Sequence, residues 1–143
     1  MGGLAALLAG VGMVIAVVHS ALFPPKPPSR NFADGTYRNK DCGSIAFRDG
    51  TATFGSTSVT YTLEQQKDGV SATSAHLIGV ERDNAGCRVV YDATRYPMYL
   101  SFGRDTPPNS VQLWDIGQSV AYDFAREPEK SKPVQGSARS RPQ

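Results

Sequence analysis

Charge is missing from the first 23 residues of this chain, and no ten-residue stretch after them keeps a helical period. Histidine and cysteine are scarce: two of each in 143 residues, with Cys42, His76 and Cys87 far apart. Zinc sites need clustered Cys and His, so this spacing argues against a zinc module. Calcium loops need several closely spaced oxygen ligands, and Asp83-Asn84 is too sparse. No Gly-rich phosphate loop leads into a helix, and no G-x-S-x-G turn occurs. The expectation is therefore a protein with no metal and no cofactor.

What the opening does contain is apolar. From Gly2 to Phe23 the only polar side chains are His19 and Ser20. About 20 apolar residues in a helix reach about 30 Å, the thickness of a bilayer's hydrocarbon core. Residues 1–23 thus predict a transmembrane anchor. The alternative is a cleavable signal peptide, with Val18-His19-Ser20 as the cut site before Ala21. A signal peptide has a basic start and an apolar core of roughly 7–15 residues; this run is longer and lacks the basic start. Gly12, Ala16 and Ser20 share one helix face, a spacing that would allow a weak homodimer of anchors.

Four prolines, Pro24, Pro25, Pro27 and Pro28, make residues 24–30 a stiff spacer. The folded part is expected over 31–127. The tail 128–143 has no large apolar residue but Val134 and cannot bury enough surface to fold. Residues 31–127 hold nine Lys and Arg against twelve Asp and Glu, a net −3, while the flanks contribute +5. A nucleic-acid binder shows a basic face, so a mildly acidic domain with basic ends does not predict one. The basic flanks could instead touch anionic lipid head groups, each charge worth about 1 kcal/mol near the surface.

Two signals oppose each other on orientation. Lys26, Arg30, Arg38 and Lys40 follow the anchor, which by the positive-inside rule would keep the domain in the cytoplasm. The Cys42 and Cys87 pair in a small domain suggests a disulfide, hence an oxidising compartment. Two separate buried thiols are the alternative. The expectation adopted is a cell-membrane protein, single-pass, with its β domain on the extracytoplasmic side.

Inside the domain the pattern is β. Asp34-Gly35, Asp49-Gly50, Asp68-Gly69 and the run Asp83-Asn84-Ala85-Gly86 mark turns. Between them apolar residues alternate: Ile45 and Phe47; Ala52 and Phe54; Val59, Tyr61 and Leu63; Val89 and Tyr91. Met98, Leu100 and Phe102, then Val111 and Leu113, then Val120, Tyr122 and Phe124 continue the series. Period two with aromatic and β-branched residues means half-buried strands. The fold class is all-β: a small antiparallel meander of about eight strands, closed as a barrel or folded as a sandwich.

Chemistry is harder to find. His76, the one histidine outside the anchor, is placed on a strand by Leu77, Ile78 and Val80, with no nucleophile spaced to partner it. A hydrolase using His76 therefore ranks last. Surface recognition ranks first. A strand over 95–102 would point Met98, Leu100 and Phe102 inward, and the next would point Val111 and Leu113 inward; if the two are neighbours, Arg95, Tyr99, Gln112 and Trp114 form one outward patch. Tyr, Trp and Arg are the residue types that dominate binding hot spots. The opening Gly35-Thr36-Tyr37, a meander of about eight strands and Arg126 at its end together resemble the lipocalin-type small barrels. Those carry Gly-x-Trp in the first strand and a basic residue late in the barrel; Tyr stands for Trp here. The resemblance implies, as a rival function, a carrier or inhibitor holding a small ligand in a cavity. The leading expectation is a non-enzymatic module that binds another envelope protein or a component of the cell surface.

Overall fold

The computed structural model describes residues 26–117 and 119–129. The anchor over 1–23, its Gly12, Ala16 and Ser20 face and the tail from 130 onward lie outside the described residues. The described chain is all-β. Its strands are β1 (Gly35–Asn39), β2 (Gly43–Arg48), β3 (Thr51–Phe54), β4 (Thr57–Gln66), β5 (Gly69–Ser74), β6 (Leu77–Asp83), β7 (Gly86–Asp92), β8 (Leu100–Phe102), β9 (Ser110–Trp114) and β10 (Ala121–Arg126). Eight of them close an antiparallel barrel in the order β1-β10-β9-β8-β5-β4-β3-β2. Of the two architectures the sequence allowed, the barrel is the one formed.

Local chemistry explains the meander. Asp49 (φ 43°) and Gly50 (φ 78°) both adopt positive φ, the backbone a two-residue hairpin needs to match strand twist. That turn sets the register Arg48↔Thr51 and Phe47↔Ala52, with Phe47 and Ala52 both fully buried. Asp34-Gly35 behaves differently. It leads into β1, and the Asp34 carboxylate accepts the Asp49 amide at 2.9 Å.

The barrel's eight-strand girth leaves an interior just wide enough for side chains. Rings fill it: Phe47 lies 5.2 Å from both Tyr61 and Phe102 and 5.6 Å from Tyr37, all edge to face. Each such pair contributes about 0.5–1.5 kcal/mol beyond area burial. Ile45, Leu100, Val111, Leu113 and Phe124 complete the lining, each no more than 1% exposed.

Strand direction gives the barrel two unlike ends. β1 starts and β10 finishes at the same rim, where the Glu127 amide donates to the Thr36 carbonyl at 2.8 Å. The described chain therefore enters β1 and leaves β10 at this rim, where Phe32 packs on Phe102 at 6.2 Å. The other end is capped by β6 and β7, which pair only with each other. Ile78 and Val80 of this hairpin join the core cluster, with Val89 and Tyr91 packed beside them. Val80 bridges Asp115 in parallel, and the Ile116 amide donates to the Val80 carbonyl at 2.9 Å. Gly79 permits that approach, because a Cβ there would come within 2.8 Å of the Trp114 carbonyl oxygen. Cys42, in the β1–β2 turn, and Cys87, on β7, sit at disulfide distance with Cα atoms 4.4 Å apart.

Four details correct the sequence pattern. The hairpin leaves the barrel wall, so the expected eight strands become eight plus two among the described residues. Leu77-Ile78-Gly79-Val80 is buried throughout, because the core lies under one face and Trp114 abuts Gly79. His76 precedes β6 in a bend, its ring edge-on to Tyr91 at 5.9 Å. Val120 is 49% exposed and precedes β10, so the inward alternation there begins only with Tyr122 and Phe124.

Candidate functional site

Among the described residues, the exposed large apolar side chains lie at the capped end. Tyr96 is 91% exposed, Tyr99 53% and Val120 49%. All three sit in connections at this end: Tyr96 and Tyr99 between β7 and β8, Val120 between β9 and β10.

Of the four residues of the predicted patch, Gln112 and Trp114 lie on β9, and Arg95 and Tyr99 lie in the connection before β8. β8 pairs with β9 as Ser101↔Gln112 and Phe102↔Val111. Tyr99 lies one residue before β8 and Trp114 ends β9, so both stand at the capped end. On the other side Trp114 pairs with Ala121, and Gln112 with Asp123. Leu113 and Val111 are fully buried, so their neighbours Trp114 and Gln112 face outward, each half-buried. The Gln112 amide donates to the Asp123 carboxylate at 3.2 Å, which fixes it in the barrel wall.

Arg95 arrives by another route. It belongs to a loop, not to the strand the sequence suggested, since β8 begins only at Leu100. Its guanidinium pairs with Asp92 at 3.2 Å and donates to the Ile116 carbonyl, tying the β7–β8 loop to the β9–β10 loop. Thr94 donates its hydroxyl and amide to Asp92, holding that carboxyl below the usual carboxylate range, with Arg95 assisting. Asp115 accepts the Ser119 and Val120 amides at 2.6 and 3.0 Å, shaping the turn that lifts Val120.

Aromatic and aliphatic side chains held between two pinned loops can bind by desolvation, with Tyr hydroxyls and the Trp indole N–H as polar handles. Period two assigned Val120 to the core, and the expected strand over 95–102 ran through Tyr96 without singling it out, so the sequence missed both. The Tyr-Pro pair at 96–97, which disfavours a continuing strand, was the available signal.

A second cluster lies at the rim of the chain ends. Arg126 donates to the Tyr37 hydroxyl and to the Pro108 carbonyl, both at 3.3 Å, and to the Asp34 carbonyl at 2.6 Å. These contacts are spent within the fold. Comparison with protein-family models, curated proteins and solved structures found no match.

Proposed function

We propose that this chain is a single-pass membrane protein that presents its β domain outside the cytoplasm. There the domain works by binding an envelope protein, not by catalysis. The observation that carries this reading is that Tyr96, Tyr99, Trp114 and Val120 lie at the end of the barrel remote from the start of β1 and the finish of β10. An anchor at residues 1–23 would turn the opposite rim toward the bilayer, leaving this apolar cluster free to meet a partner. The Cys42 and Cys87 sulfurs at disulfide distance support the oxidising side. The ring-filled interior favours surface recognition over a ligand carried inside.

The test is titration of the full-length protein with envelope extracts, alongside Trp114→Ala and Tyr99→Ala. Both truncations remove surface rings and should leave the melting temperature near its original value. They should weaken association by tenfold or more, about 1.4 kcal/mol. Association unchanged in both variants would remove the patch from the reading.

A further inference from the structure

The hairpin has one edge left over. On β6 the Val80 carbonyl accepts the Ile116 amide, so the Val80 backbone points away from β7. In an antiparallel pair, residues directly opposite each other point their backbone groups the same way, toward or away from the shared ladder. Val80 is opposite Val89, Ile78 opposite Tyr91 and Arg82 opposite Cys87. The N–H and C=O groups of Cys87, Val89 and Tyr91 therefore face outward along the free side of β7. Among the described residues β7 has no strand partner but β6.

That edge borders a cleft of about 510 Å³, with Ser44, Phe54 and Thr57 across from Val89 and Tyr91. Gly43 and Gly55 also line it, and a Cβ built on either meets nothing within 4 Å. Edge strands are commonly blunted by proline, lysine or a bulge. Gly86–Asp92 contains no proline and no lysine, and its register with β6 runs unbroken.

We infer that the outer edge of β7 is a docking site for an extended, uncharged segment of a partner protein, which adds to the hairpin as a third strand. A row of alternating donors and acceptors is matched only by another extended backbone. The charge of the cleft sets the chemistry of the segment. Of its lining residues Arg88 alone is charged, and Glu81 and Asp83 already hold that guanidinium. The chain's own tail fits poorly. It continues from Glu129 at the opposite rim and carries Lys130, Lys132, Arg139 and Arg141. A second copy would bring a two-stranded hairpin to a cleft that Phe54, Gly55 and Thr57 of the β3–β4 connection also line. The inference rests on the reading of the domain as a binding module but uses a different surface from the Trp114 patch.

The experiment selects a phage-displayed library of random uncharged decapeptides on the full-length protein in nanodiscs. Selected peptides are then titrated against three variants. Val89→Pro removes one outward N–H, which an edge strand tolerates; Ser44→Trp fills the cleft from an exposed position; Trp114→Ala alters only the patch. The expected result is binding weakened at least about tenfold by Val89→Pro and by Ser44→Trp but not by Trp114→Ala. Amide exchange at Cys87, Val89 and Tyr91 should slow when peptide is bound. Ser44→Trp keeps the test valid if Val89→Pro disturbs the hairpin. Peptides sensitive only to Trp114→Ala would overturn the edge site and leave the proposed function standing. No selected peptide, or slowed exchange at these amides without peptide as protein concentration rises, would overturn it as well, the latter in favour of a second copy.

Discussion

The Arg126 guanidinium lies over the Tyr37 ring, 5.8 Å from its centre, and donates to the hydroxyl of the same residue. The two residues are 89 positions apart and stand opposite each other where the last strand meets the first. Tyr37 in turn donates to the Ala33 carbonyl at 3.0 Å. Burial raises the Tyr37 pKa, and the Arg126 charge opposes that rise. One arginine thus ties together the segment before β1, the β8–β9 loop and the barrel seam.

Arg126→Ala should cost about 3 kcal/mol, since it removes three charge-assisted hydrogen bonds and a cation–π contact and leaves partly buried acceptors unpaired. Arg126→Lys should recover less than half, because an ammonium cannot fork toward three oxygens. Urea unfolding at neutral pH checks both. A loss under about 0.5 kcal/mol for the alanine variant would show the seam holds without this residue.

The seam also shows why the sequence was legible only in part. Gly35-Thr36-Tyr37 and Arg126 could be picked out as a resemblance to lipocalin-type barrels, yet nothing local said that they touch. The first and last strands pair only because the sheet closes.

Tyr61 makes the alkaline limb of stability predictable. Its ring packs on Phe47, and its buried hydroxyl meets no hydrogen-bond partner of good geometry among the described residues. Burial first, then the Asp34 charge, pushes its pKa from 10.0 up to about 12. The fold therefore prefers the protonated phenol. The stability this gives is complete below pH 10 and is lost as pH rises toward about 12. The slope cannot exceed about 1.4 kcal/mol per pH unit for this one group. Tyr61→Phe should be neutral, or stabilising by up to about 1 kcal/mol, at pH 7, and should flatten the alkaline decline. Thermal melts across that range, with phenolate absorbance followed in parallel, would expose the opposite result.

The Cys42 and Cys87 pair closes a loop of 45 residues. In the loop-closure model such a link is worth about 4 kcal/mol, so Cys42→Ser with Cys87→Ser should lower stability by about that amount. Amide exchange should quicken first in β6 and β7, which otherwise hold to the barrel through Ile78, Val80 and the Asp115 bridge. A melting temperature indifferent to both substitutions and to reductant would deny the staple.

The amino-acid order by itself settled what depends on neighbours in sequence. Period-two burial at Ile45 and Phe47, at Leu100 and Phe102 and at Val111 and Leu113 follows from strand pleating, and the Asp49-Gly50 turn follows from backbone preference at two residues. Tertiary structure alone decided that β6 and β7 leave the wall to cap one end, that Val120 faces solvent, and that Arg126 meets Tyr37. Those outcomes turn on which strands close the barrel, and closure is a balance of contacts between residues far apart in the chain that no local window contains.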